Sequence, residues 1–174
     1  GQEGHVEVKG LTGDFPESVV VLKESDVDRL PRDRKLGVIA QTTQSIERVR
    51  ALVALIRRAR PTSEVRFVDT VCRPTKNRQL ALRKLIEDCD TVVVIGGRNS
   101  NNTLQLVAAA EVAGRLVFHI ERPEELEPSW FLGSNVVGLT AGTSTLKETV
   151  TEAHRRLEQI ARGLNVNNQP LLMK

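Results

Sequence analysis

Short β-branched runs alternate along the chain with longer stretches in which apolar residues recur every three or four positions. Brief apolar runs predict strands, and a period near 3.6 predicts helices. Strands are predicted at residues 18–22, 36–40, 65–71, 91–95, 116–120 and 136–139. A helix is predicted at 45–60, with Ile46, Val49, Val53 and Ile56 along one face and Pro61 ending it. A second, at 75–88, has Leu82, Leu85 and Ile86 as its core face. A third, at 102–112, is apolar nearly all round and is expected to be the most buried. The last, at 146–163, repeats Leu146, Val150, Ala153, Leu157 and Ile160, and Thr145 with Glu148 reads as a capping box at its start. Between the last two predicted strands, residues 121–128 are acidic and proline-bearing and read as a surface excursion.

Strands and helices in this alternation imply parallel sheets covered by helices, so the fold class is α/β. The Arg58-Ala59-Arg60-Pro61-Thr62-Ser63-Glu64 stretch marks a boundary between two small parallel-sheet units. Residues 1–62 form an incomplete unit on this reading, and residues 63–174 a complete one with a C-terminal tail. The tail is polar and then apolar, as if to pack on something outside the chain. No initiating Met is present, and the first residues read as a turn entering a strand, so an upstream piece is expected.

Composition narrows the function classes. The chain has no Tyr, only 3% aromatic residues and a net charge of +3, a poor match to a base-stacking, strongly basic nucleic-acid platform. Arg57, Arg58 and Arg60 are the one dense basic patch, and they fall where cations complement a helix C-terminus, a solvated helix end. No apolar run is long enough to span a bilayer, and the N-terminus lacks a signal-peptide pattern. Cys72 and Cys89 have no CxxC spacing, so neither a disulfide framework nor a zinc site is suggested and a reducing cytoplasm is the expected setting.

The chemistry-bearing feature is the makeup of four strand-to-helix junctions. They read Gln41-Thr42-Thr43-Gln44-Ser45, Val71-Cys72-Arg73-Pro74-Thr75, Gly96-Gly97-Arg98-Asn99-Ser100-Asn101-Asn102-Thr103 and Thr140-Ala141-Gly142-Thr143-Ser144-Thr145. None contains a carboxylate. In parallel α/β sheets ligands bind beyond the carboxyl ends of the strands. Unpaired N–H groups in a helix first turn favour an anion there, and hydroxyl and amide side chains add donors without repelling charge. Ser, Thr and Asn also cap helices with no ligand present, which accounts for any one of these loops taken alone. Four together exceed what capping needs and suit a diphosphate.

Cys72, at a predicted strand end beside two of the loops, is placed where a thiolate reaches a shared site, although a lone Cys there is also an ordinary small hydrophobe. Cys89 ends an amphipathic helix and reads as packing. His5 and Glu7 alternate along a predicted extended segment, so both would project to one side, and such a pair can hold an anion and pass a proton. His119 and His154 read as structural.

Taken in order, Gly4-His5-Val6-Glu7-Val8-Lys9-Gly10, Gln41-Thr42-Thr43, Thr70-Val71-Cys72-Arg73-Pro74-Thr75-Lys76-Asn77-Arg78-Gln79, Asn99-Ser100-Asn101-Asn102-Thr103 and Gly138-Leu139-Thr140-Ala141-Gly142-Thr143-Ser144 resemble successive motifs of the 4-hydroxy-3-methylbut-2-enyl diphosphate reductase (IspH/LytB) family. The resemblance runs to about residue 163. It implies an IspH-like fold and a reductase that removes a hydroxyl from an allylic diphosphate, giving isopentenyl and dimethylallyl diphosphates in the non-mevalonate isoprenoid route. It also implies a [4Fe-4S] cluster held by three cysteines, and an electron donor such as ferredoxin or flavodoxin. By motif, Cys72 would be one cluster ligand, Glu7 the proton-delivering carboxylate and Thr42 a hydroxyl in the same proton network. His5, Thr75, Ser100, Asn101, Asn102 and Ser144 would bind the diphosphate or line its pocket. Val6 stands where the family usually has Pro, Pro74 where it has Ala, and Asn101 where it has a second Ser. Two cluster cysteines have no counterpart here, so the chain is expected to be the C-terminal part of such an enzyme, inactive by itself and partnered by a missing N-terminal part. The alternatives are a non-catalytic anion- or phosphoester-binding module and a purely structural subunit.

Overall fold

The computed structural model describes residues 1–165 and 172–173 of the chain, which divides into two compact units, Gly1–Arg73 and Pro74–Lys174. The fold is α/β, with a two-stranded parallel sheet in the first unit and a four-stranded parallel sheet in the second. No helix among the described residues is long and apolar enough to cross a membrane.

The first unit begins with a helix, α1 (Val6–Gly13), where an extended segment is expected from sequence. Two local features override the period-two pattern of Val6 and Val8. Gly4 takes a positive φ of 83°, a turn conformation that favours glycine, and the His5 ring accepts the Glu7 N–H through Nδ1 at 3.2 Å as an N-cap. His5 and Glu7 are therefore linked by a cap bond and do not alternate along a strand. Residues 18–22 form no strand either. Their backbone groups are engaged locally: the Val21 carbonyl accepts from Gly1 N at 2.8 Å, and the Leu22 and Lys23 N–H groups donate to the Asp26 carboxylate at 2.9 and 3.0 Å. That carboxylate opens a 3-10 helix, Glu24–Arg29.

Strands β1 (Lys35–Ile39) and β2 (Glu64–Val68) pair in parallel, with Lys35 opposite Glu64 and Ile39 opposite Val68. Leu36, Val38, Val65 and Phe67 face one side of this ribbon. Between the strands runs α2 (Ile46–Ala59), which buries Val53 and Ile56 and packs on β2 and the 3-10 helix. A two-stranded ribbon is marginal alone and needs such a helix. β2 stops at Val68, three residues before the predicted end, because the Thr70 side chain takes over the pairing: its hydroxyl accepts the Ala40 N–H at 2.8 Å and donates to the Ala40 carbonyl at 2.5 Å. Arg60 corrects the expectation of a solvated helix end. Its guanidinium donates to the carbonyls of Leu30, Pro31 and Val27 at 2.6, 3.2 and 3.3 Å, gathering the groups left at the end of the 3-10 helix. Since β2 is hydrogen-bonded to β1, the first unit extends to Arg73 and not to residue 62.

In the second unit the strand order is β4 (Leu116–Ile120), β3 (Thr91–Ile95), β5 (Val136–Ala141), β6 (Leu172–Met173), all parallel. The central strand β3 is buried at every residue, which explains its unbroken Thr-Val-Val-Val-Ile run. Val92 and Val94 pack with Leu82 of α3 (Arg73–Asp88) and with Leu106 and Ala110 of α4 (Asn101–Val112). Val93 and Ile95 pack on the opposite face with Ala153, Leu157 and Ile160 of α5 (Lys147–Asn165). Residues 121–128 are not merely a surface excursion. With the next few residues they make two 3-10 turns, Pro123–Glu125 and Pro128–Phe131, that set Leu126 and Phe131 into this second core at 1% exposure each. α4 buries one face only and leaves Leu104 and Val112 exposed. The apolar end of the tail pairs with β5, Leu172 opposite Val136 and Met173 opposite Val137. The polar part of the tail lies outside the described residues.

Candidate functional site

In the first unit the candidate residues meet at the end of β1. Gln41, 2% exposed, stitches this corner: its Oε1 accepts from Gln2 N at 2.9 Å and from Gln44 Nε2 at 3.1 Å. The next residue, Thr42, is bonded on both sides. Its N–H donates to Glu7 Oε1 at 2.7 Å and its hydroxyl to Glu7 Oε2 at 3.1 Å, while its carbonyl accepts the Cys72 N–H at 3.0 Å. One short loop thus joins the acid and the thiol-bearing residue through Thr42. His5 is half-buried, and its Nδ1 is taken up by the Glu7 N–H. Cys72 is half-buried and immediately precedes α3; Thr75, in the first turn of α3, is fully buried.

In the second unit the glycine-containing junction leaves β3 at Ile95. The Gly96 carbonyl lies 2.8 Å from His119 Nε2 and the Arg98 N–H donates to Glu121 Oε1 at 2.7 Å. Ser100 N donates to the Gly97 carbonyl at 3.0 Å, and Ser100 then caps α4, its hydroxyl accepting from Thr103 N at 3.4 Å. Asn101 and Asn102 follow in the first turn. Asn102 is 2% exposed, yet neither Oδ1 nor Nδ2 has a hydrogen-bond partner among the described residues. Burying a carboxamide without partners costs about 1–3 kcal/mol, and it is the kind of group that a ligand satisfies.

The junction after β5 lies beside it. The Ile95 carbonyl accepts both the Gly142 N–H at 3.0 Å and the Thr145 hydroxyl at 3.1 Å, so Thr145 ties α5 to β3 in place of the expected capping box. Ser144 is exposed at the tip of the turn that Thr145 N closes on the Gly142 carbonyl. A Cβ on Gly96 would stand 2.6 Å from Thr103 Oγ1, and one on Gly142 would collide with the same atom. Glycine at both positions lets the fully buried Thr103 wedge between the two junctions. The second unit therefore brings Ser100, Asn102 and Ser144 to the carboxyl end of β3 and β5, while Glu7, Thr42, His5 and Cys72 belong to the first.

The LytB protein family model matches residues 1–158. The chain belongs to the LytB family. Among curated LytB relatives, the 4-hydroxy-3-methylbut-2-enyl diphosphate reductase of Trichlorobacter lovleyi is 39% identical over 162 residues, 92% of this chain and 57% of the relative. The enzyme of the same name from Aquifex aeolicus is 33% identical over 172 residues, 97% and 59%. The solved structure of the E-1-hydroxy-2-methyl-but-2-enyl-4-diphosphate reductase from Plasmodium falciparum matches with a TM-score of 0.80 at 26% identity, covering 99% of this chain and 53% of that one. The chain spans a little over half the length of the LytB relatives it matches.

A [4Fe-4S] cluster needs several thiolate ligands. Cys89 is 3% exposed, packed in the core beneath Gly138, and burial pushes its thiol up, away from the thiolate that binds metal. No group of three or more His, Cys, Asp or Glu able to hold a metal ion occurs among the described residues. These residues do not by themselves fit a cluster; of the two thiols, Cys72 is half-buried and Cys89 is closed off in the core.

Two features of the site were missed from sequence. Thr103 is one of several hydroxyl and amide residues in its junction, and nothing in the sequence marks its contact with both Gly96 and Gly142. His119 and Glu121 stand two apart on β4 and its extension, the spacing that puts both on one side.

Proposed function

We propose that this chain is the diphosphate-binding portion of an enzyme converting 4-hydroxy-3-methylbut-2-enyl diphosphate to isopentenyl and dimethylallyl diphosphates. The observation that carries it is Asn102, a buried carboxamide without a partner among the described residues, at the N-terminus of α4 beside the Ser100 hydroxyl. A helix N-terminus with uncharged hydroxyl and amide donors suits a diphosphate. His5, Thr75, Asn101 and Ser144 bind or line the pocket on this reading. Glu7 holds and delivers a proton, its carboxylate oriented by Thr42. Cys72 serves as one ligand of the family's [4Fe-4S] cluster, with the remaining ligands and the electron donor, such as ferredoxin or flavodoxin, coming from outside this chain. The setting is cytoplasmic.

Titration of the chain with dimethylallyl diphosphate, inorganic pyrophosphate and dimethylallyl monophosphate tests the reading. Tight binding of the prenyl diphosphate, weaker binding of the other two, and loss of about tenfold or more in Asn102→Ala are expected. Equal affinity for prenyl and inorganic diphosphate would favour the non-catalytic anion-binding module, and no binding of either would sink both.

A further inference from the structure

We infer that β4 works as a two-point clamp on the glycine junction, with His119 and Glu121 as positioning residues for the diphosphate loop; the inference rests on the function proposed above. His119 Nε2 meets the Gly96 carbonyl at 2.8 Å, and the Glu121 carboxylate accepts the Arg98 N–H at 2.7 Å. Two residues two apart on one side of β4 and its extension thus grip two positions, also two apart, on the loop. The Gly97–Ser100 turn begins inside this grip and Ser100 caps the helix that carries Asn102. The clamp therefore sets where Ser100 and Asn102 stand before any ligand arrives, which lowers the ordering cost of binding.

The charges agree with that role. A carboxylate next to an anion site would repel the ligand, but Glu121 Oε2 lies 3.7 Å from Arg98 Nε, and Arg98 Nη2 donates to Glu125 Oε2 at 2.9 Å. Glu125 in turn accepts the Arg122 N–H at 3.1 Å, which closes the 3-10 turn following β4. Arg98, the one cation in the loop, is a strut between loop and turn and not a phosphate ligand. Glu121 is exposed and contributes nothing to either core, so its replacement tests position separately from folding.

The test uses the 174-residue chain, inorganic pyrophosphate as probe, and amide exchange of Arg98 followed by NMR. Glu121→Ala is expected to weaken pyrophosphate about tenfold and to speed Arg98 exchange, with an unchanged melting temperature. Glu121→Gln, which keeps the acceptor oxygen, is expected to restore both to near wild type. His119→Phe is expected to weaken pyrophosphate similarly. If wild type binds pyrophosphate and Glu121→Ala binds it equally well or better, the clamp is overturned. If wild type binds neither pyrophosphate nor dimethylallyl diphosphate, the diphosphate reading falls and takes the clamp's purpose with it; if it binds only the prenyl diphosphate, that ligand replaces pyrophosphate as the probe for the same comparison.

Discussion

Thr42 meets Glu7 at two points, its N–H 2.7 Å from Oε1 and its hydroxyl 3.1 Å from Oε2. Both atoms of the carboxylate are thereby fixed in direction, across 35 residues of sequence. Hydrogen bonds to a charged acceptor contribute about 1.5–3 kcal/mol each when partly sheltered. Glu7→Ala is expected to destabilise the first unit by about 2 kcal/mol and Thr42→Val by about 1 kcal/mol. The double variant should lose less than the sum, with a coupling of at least about 0.5 kcal/mol in a denaturant cycle. Strict additivity would show that the pair is not coupled.

The two cysteines should differ in chemistry. Burial holds the Cys89 thiol above the usual range, so its reactive thiolate is scarce at neutral pH, while Cys72 sits half-buried before α3. Iodoacetamide on the native chain is expected to label Cys72 and spare Cys89 until denaturant is added. Peptide mass spectrometry reads the ratio, and equal labelling before unfolding would contradict the packing of Cys89 under Gly138.

Gly138 leaves no room for a side chain. A Cβ there would stand 2.8 Å from Leu85 Cγ and 2.9 Å from Cys89 Sγ. Gly138→Ala is expected to destabilise the second unit by about 2 kcal/mol, measured by denaturant midpoint. Adding Leu85→Ala should recover less than the overpacking cost, since it opens a cavity of its own.

Asp26 gives a pH dependence of known sign. The backbone N–H groups of Leu22 and Lys23, donating to its carboxylate, hold it below the usual range. A lowered folded value means that this contribution is present above the ordinary carboxylate range and is lost as pH falls through the lower, folded value. The Leu22 and Lys23 amide proton shifts should therefore titrate together, with a midpoint below that of an ordinary aspartate. In Asp26→Asn that titration should vanish; its persistence would assign the effect to another group.

Periodicity made much of the second unit legible because β3, β5 and α5 each carry a consistent pattern that burial then obeys, whereas the apolar α4 buries one face only. The boundary of the first unit was not legible, since hydropathy does not show that β2 pairs with β1, and the early end of β2 rests on a Thr70 hydroxyl invisible to any such pattern. α1 escaped for a related reason: only Val8 of its eight residues is buried, so its helix rests on a histidine cap and a turn glycine. The site residues were nominated by type and order. What sequence did not reveal was their division of labour, such as Thr145 bonding to Ile95 in place of capping, or the Asn102 carboxamide left without a partner among the described residues.

The Thr103 wedge makes three positions inherit together. A side chain at 96 or at 142 is admissible only if residue 103 gives up the atom that both would strike. A change at 142 becomes passable on a background already small at 103, whereas one at 96 still meets Thr145 Oγ1 at 3.0 Å and a positive φ of 157°. A library that varies this loop has to move 103 before 142 and leave 96 as glycine.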